Sequence, residues 1–291
     1  MYLINVDTFK LKYFVDLDDP DRPRFAALSH RWGSDEEELT FQEIETPVRS
    51  RPESVEKKSG YEKLKEACRA AQTLDLSWIW IDTCCIDMTS SAELQESINS
   101  MWRLYSKATL CMVYMNDLTL SYEDDGRKLP AWQVSSQSIS EASFEKSQWF
   151  TRGWTLQELL APENVTFHSH TWHAFGTRSS LRDIISNITD IPEQCLDHDK
   201  NMGRQEQIRS HSTATIMYWA AARAYSLLGK FDAQMPLLYG EGDKAFHRLQ
   251  MELLERTTIR HYFSGVLRFV TAWLSLRWNC LPGHLPTLSF R

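Results

Sequence analysis

The sequence predicts an α/β fold: a mostly parallel central sheet flanked by helices, with a C-terminal helical extension. Three observations carry that expectation. Short runs that are apolar on both faces (25–30, 78–82 and 110–115) read as strands covered by helices. Between them, apolar residues recur at three- and four-residue spacing, the signature of amphipathic helices. Strand and helix patterns then alternate along the chain, as βαβ units require.

In order, Phe25-Ala-Ala-Leu-Ser-His30 follows Pro20 and Pro23 and ends at Arg31-Trp32-Gly33, a buried strand feeding a turn. A polar segment to about Gly60 carries one short helix near Thr40–Ile44. Tyr61, Leu64, Cys68, Ala71 and Leu74 predict the first long helix, and Trp78-Ile-Trp-Ile-Asp82 the next strand. Leu94, Ile98, Met101, Trp102 and Tyr105 predict a second long helix, and Leu110–Met115 a third strand. From Thr119 to about Gln148 the chain is polar and Ser-rich, which suggests a surface excursion. Trp154–Ala161 reads as a short helix that cannot run past Pro162. Val165–His168 predicts a further strand, and Leu181, Ile184, Ile185 and Ile188 a further helix.

Beyond Ile191-Pro192 the pattern turns helical, at about 212–228 and 242–255. The expected organisation is an α/β domain over 1–195, a helical extension packed on it over 196–258, and a tail over 259–291. Tyr262–Trp278 is apolar but short and interrupted by Arg268, so no membrane span is expected.

Composition narrows the function classes. The formal charge is −7, and no basic stripe interleaved with aromatics suggests a nucleic-acid groove. The acidic runs at Asp16–Asp21 and Asp35–Glu38 read as solubility. Six cysteines lie in apolar segments without a CxxC pair, the pattern of reduced buried thiols. With no basic, apolar leader at Met1–Thr8, a cytoplasmic protein is expected.

A parallel sheet binds ligands beyond the carboxyl ends of its strands. Three segments converge there: Ser29-His30-Arg31-Trp32, Asp82-Thr83-Cys84-Cys85, and the helix carrying Glu158. Trp32, Trp78, Trp80, Trp149, Trp154 and Trp172 lie in or beside these segments, six of the eleven tryptophans. They either wall a pocket for a flat ring or fill the core. Trp154 and Glu158 share a helix face, so Glu158 is either a carboxylate raised against an indole or a rim residue. Asp82 either binds a ribose hydroxyl or caps the following turn. Arg152 either pairs with Glu158 or Asp82 or binds a phosphate. His168-Ser-His170-Thr-Trp-His173 lacks an acidic or cysteine ligand nearby, so no metal is expected. Gly240-Glu-Gly242-Asp-Lys-Ala245 matches G-x-G-x-x-A but lacks the βαβ context of a dinucleotide site.

Three motifs in order, Ala27-Leu-Ser-His-Arg-Trp-Gly33, Trp78-Ile-Trp-Ile-Asp-Thr-Cys-Cys-Ile-Asp87 and Trp149–Pro162, resemble the fungal heterokaryon-incompatibility domain. Pro236–Gly242 and Ala245–Gln250 resemble the segment that follows it, so the resemblance covers about Met1 to Leu254. It implies a role in non-self recognition that ends in programmed cell death, with protein partners or self-association. Such domains are similar to TIR domains, whose fold is flavodoxin-like and some of which hydrolyse NAD. On that likeness, Trp154-Thr-Leu-Gln-Glu-Leu159 makes Glu158 the catalytic residue. Ser29, Arg31, Trp32, Asp82, Arg152 and Trp154 become substrate contacts. The implied NAD is a substrate, and no cofactor is expected. The alternatives are a non-catalytic signalling module that acts by assembly with partners, or an inert truncated remnant of the family.

Overall fold

A computed structural model describes residues 1–120, 140–152 and 154–197. Its first element is a hairpin, β1 (Tyr2–Asn5) and β2 (Leu11–Tyr13), paired antiparallel. Asn5 builds the turn, its Oδ1 accepting from the Thr8 amide at 3.0 Å and the Thr8 hydroxyl at 2.8 Å. Phe9 completes it with φ 51°. Four parallel strands form the centre: β3 (Phe25–His30), β4 (Trp78–Ile81), β5 (Leu110–Tyr114) and β6 (Val165–His168). An antiparallel strand, β7 (Ala174–Thr177), closes the far edge.

The sheet runs β2-β1-β4-β3-β5-β6-β7. Its parallel part has the first strand inside, the second on one side and the third and fourth on the other. That is the doubly wound, flavodoxin-like order, and its switch point lies between β3 and β5. Every residue of β3 is buried, because it is the strand that reverses the winding and both its faces are covered.

The helices follow from local chemistry. Thr40 caps α1 (Phe41–Glu45) in a reciprocal box with Glu43. After α2 (Glu53–Glu56), α3 (Ser59–Gln72) buries Tyr61, Leu64, Ala67, Cys68 and Ala71 on one stripe and packs against β4. A single turn, α4 (Asp82–Cys85), begins directly at the end of β4, so Asp82 leaves the strand and opens the helix. Ser90 caps α5 (Ser91–Lys107). Then come α6 (Glu141–Glu145), a 3₁₀ turn (Gln148–Thr151) and α7 (Thr155–Leu160), which packs on α5. Finally α8 (Arg182–Thr189) and α9 (Glu193–Leu196) pack together.

Several expectations need correction. The stretch before Trp149 is not wholly a surface excursion. Phe144 is fully buried and meets Phe150, Phe167 and Phe175 edge-on. The acidic runs do more than solubilise: Asp16 and Asp18 pair with Arg103, and Asp18 with Lys107, across to α5. The β1–β2 hairpin and β7 have no counterpart among the expected strands. From residue 198 onward the helical extension, its G-x-G-x-x-A segment and the tail lie outside the described residues. Among the described residues, no helix is long and apolar enough to cross a membrane.

Candidate functional site

At the carboxyl end of β3, successive side chains go to opposite faces of the sheet. Ser29 meets α7 and the 3₁₀ turn. Its Oγ donates to Glu158 Oε2 at 2.6 Å and accepts from Trp149 Nε1 at 2.8 Å. Arg152 adds a bond from Nη1 to the same carboxylate oxygen at 3.2 Å. Glu158 is 2% exposed, a carboxylate enclosed by protein and held by a hydroxyl and a guanidinium. Burial works against the charge of Arg152, but Glu158 and Asp82 outweigh it and raise its pKa.

His30 turns the other way and lies between two carboxylates. Its Nδ1 is 3.7 Å from Asp82 Oδ1 and its Nε2 is 3.9 Å from Glu38 Oε2, both beyond hydrogen-bond reach. The ring is fully buried, and neither nitrogen has a hydrogen-bond partner. Burial, together with the nearby charges of Lys63 and Arg152, holds its pKa well below the ordinary value. The flanking carboxylates favour an imidazolium, yet Glu38 is already matched by Lys63, at 2.5 Å and 2.6 Å. His30 is therefore a neutral imidazole.

Asp82 links the two sides. Oδ2 accepts from Trp32 Nε1 at 2.8 Å, and Oδ1 from the Thr83 amide at 2.9 Å. Burial, opposed by Arg152 and reinforced by Glu158, pushes its pKa up to about 6. Trp32 itself is 44% exposed, so an indole face stands open to solvent while its N–H is fixed to a buried carboxylate. The same loop is tied a second time, where the Gly33 amide donates to Glu38 Oε1 at 2.7 Å.

The structure thus brings Ser29, Arg152 and Glu158 into one hydrogen-bonded set and Trp32 and Asp82 into another beside it. Arg31 is exposed on the loop. Trp154 is partly buried against the core and caps α7, its carbonyl accepting the Glu158 amide at 3.3 Å. The indole that serves the Glu158 set through a hydrogen bond is Trp149, acting through Ser29. Sequence reasoning placed His30 in a converging segment without giving it a role, and missed Glu38 and Lys63 as members of the cluster. Glu38 stands in an acidic run and Lys63 on the polar side of an amphipathic helix, where each looks like a solvated charge.

Other motifs resolve as structure. His168 Nε2 lies 3.0 Å from Thr166 Oγ1 and Nδ1 lies 3.3 Å from the Trp172 carbonyl, and burial lowers the ring to about 4. Trp172, at φ 65° in the turn to β7, stacks on Tyr114 with centroids 4.5 Å apart. Among the described residues, no group of three or more His, Cys, Asp or Glu side chains could hold a metal ion. Cys68, Cys84, Cys85 and Cys111 are free and buried, and burial pushes the Cys84 thiol up to about 12.

A family model, "Heterokaryon incompatibility protein (HET)", matches residues 25–158. The chain is a HET-domain protein. The matched span starts at the first residue of β3 and ends on Glu158, so it encloses every member of the buried polar cluster. The chain is also 37% identical over 257 residues to "Vegetative incompatibility protein HET-E-1" of Podospora anserina, an alignment covering 85% of this chain. It spans 17% of that relative's length. No solved structure matches this HET-domain chain.

Proposed function

We propose that this HET-domain chain acts in vegetative incompatibility, as an effector of fungal non-self recognition that triggers programmed cell death, and that it does so by hydrolysing NAD. The likeness to a vegetative incompatibility protein supports the biological role. One observation carries the chemistry. The Glu158 carboxylate lies beside the carboxyl end of the switch-point strand, bonded to Ser29 and Arg152, with Asp82 in the same electrostatic cluster.

Breaking the nicotinamide–ribose bond develops positive charge on the ribose ring, which a pre-placed carboxylate stabilises in a water-poor site. Glu158 fits that task because it is fixed by two partners and needs no reorganisation. Trp32 offers an exposed face for a flat ring, and Arg31 and Arg152 supply positive charge for a pyrophosphate. TIR-like NAD hydrolysis with Glu158 in the Trp-x-x-x-Glu-Leu helix is the reading that these features support.

The near-complete burial of Glu158 favours a second reading, a non-catalytic module that kills by assembling with protein partners or with copies of itself. The two separate on one measurement: express the full chain and Glu158→Gln in a host cell and follow NAD content and viability together. The hydrolase reading expects wild type to deplete NAD and kill, and Glu158→Gln to do neither. Killing with NAD unchanged favours assembly.

A further inference from the structure

Hydrolysis needs more than a carboxylate that stabilises cationic ribose, because the water that captures C1′ must lose a proton. Glu158 is poorly placed for that. Its Oε2 already accepts from Ser29 and Arg152, and its side chain is 3% exposed. The Asp82 side chain is 10% exposed, beside the open indole of Trp32. Behind it sits His30, fully buried and unpartnered at both nitrogens.

We infer that Asp82 is the base that takes the proton of the attacking water, and that His30 is the positioning residue that orients the Asp82 carboxylate. This rests on the NAD-hydrolase reading above. A neutral imidazole has one N–H and can serve one carboxylate. Glu38 already has Lys63 and the Gly33 amide. The His30 N–H is therefore available to Asp82 Oδ1, closing from 3.7 Å when the site is occupied; catalytic hydrogen bonds commonly tighten in this way on substrate binding.

The step balances without a further reactant. The C1′–N bond breaks with its electron pair passing to the pyridinium nitrogen, and nicotinamide leaves neutral. Water oxygen bonds to C1′, its proton passes to the Asp82 carboxylate, and ADP-ribose is formed. Asp82 then returns the proton to solvent past Trp32. A pKa of about 6 makes Asp82 a stronger base than an ordinary carboxylate and leaves it ionised at neutral pH.

The assignment is tested by changing the nucleophile. A free pyridine base such as 3-acetylpyridine also captures C1′, but it has no proton to lose, so exchange requires no base. With the full chain and NAD, hydrolysis to ADP-ribose and exchange to the acetylpyridine dinucleotide are quantified side by side by chromatography. Asp82→Asn is expected to lower the ratio of hydrolysis to exchange by about 100-fold or more. His30→Leu is expected to shift the ratio the same way, and His30→Gln, which keeps an N–H donor, to restore it. The His30 pair decides the matter if Asp82→Asn fails to fold. Equal loss of hydrolysis and exchange in folded Asp82→Asn, or a wild-type ratio in His30→Leu, overturns the assignment. A wild-type chain that neither hydrolyses nor exchanges NAD instead overturns the hydrolase reading beneath it.

Discussion

Ser29 and Glu158, 129 residues apart in the chain, are joined by a buried hydrogen bond of 2.6 Å. The bond crosses from the central strand to α7, and its geometry depends on Trp149, whose N–H occupies a lone pair of the same hydroxyl. One serine therefore sets the position of an indole and a carboxylate together. Its side chain points to the face covered by α5 and α7, which is why a polar residue is tolerated in a strand whose every position is buried.

Ser29→Ala removes that junction and leaves a buried indole N–H unpaired. The expected cost is about 2 kcal/mol of folding stability, from one lost donor–acceptor pair and one orphaned donor. Urea denaturation checks it, and Trp149 fluorescence should shift as its N–H environment changes. An unchanged midpoint would show that another partner takes over.

The pH dependence of stability has two opposed parts. Asp82 rises from 3.8 to about 6 on folding, so the folded state holds the extra proton. Its contribution is present below pH 4 and is lost as pH rises towards 6, a change of about 3 kcal/mol. His168 falls from 6.5 to about 4, so the unfolded state holds the extra proton below pH 6.5. Its contribution is lost as pH falls from 6.5 to 4, again by about 3 kcal/mol, and His30 acts in the same direction. Asp82→Asn should therefore steepen the loss of stability on acidification, and His168→Gln should flatten it. Urea midpoints at pH 4.5, 6 and 7.5 read both. If either variant runs parallel to wild type across that range, its assigned shift is wrong.

A glycine outside the site also controls it. A Cβ on Gly60 would lie 2.7 Å from the Glu37 carbonyl and 2.8 Å from the Leu39 amide, both backbone atoms that cannot swing aside. The segment it touches carries Glu38, which anchors Gly33 and faces His30. Gly60→Ala should cost about 1–3 kcal/mol, as overpacking does, and should loosen the Trp32 loop. Faster proteolysis near Arg31 would report the loosening. A variant as stable and as resistant as wild type would mean that the segment yields without consequence.

Buried strands and long amphipathic helices were legible in the sequence because burial imposes their periodicity. β3, β4, β5, β6, α3 and α5 all stand within a few residues of their expected positions. The β1–β2 hairpin was not legible because its turn is closed by an Asn5 side chain and a left-handed Phe9, without a glycine. Within the cluster, Ser29, Asp82, Arg152 and Glu158 could be singled out from the sequence because each stands in a motif at or near the end of an element. Glu38 and Lys63 could not, since burial of a charge depends on what folds over it, and only tertiary structure brings α3 to the β3 loop; His30 stood in the motif, but its place between two carboxylates is likewise tertiary.

Arg178 is a buried cation that ties backbone segments together. It is 3% exposed and donates to the carbonyls of Leu159, Pro162, Glu163 and Leu196, with bonds between 2.6 and 3.2 Å. Those carbonyls belong to the end of α7, the turn after it and the end of α9, so one side chain ties three segments together. Lysine has no planar fork, so Arg178→Lys should leave at least one buried carbonyl unpaired and cost roughly 1–3 kcal/mol. A midpoint equal to wild type in urea would show that lysine satisfies the same set.

Arg152 and Glu158 are the pair on which stability and the proposed chemistry meet. Their side chains are 16% and 3% exposed, so removing the guanidinium leaves a carboxylate in a protein-walled site. Arg152→Met should cost about 3–5 kcal/mol, most of it the penalty of the unmatched charge and not the intrinsic worth of the pair. Glu158→Gln should cost less, because a neutral amide can still accept from Ser29. In the double variant the charge is gone from both sides, so its loss should fall short of the sum by more than about 1 kcal/mol. A strictly additive double variant would mean that the two side chains do not interact in solution. Glu158 would then be held by Ser29 alone.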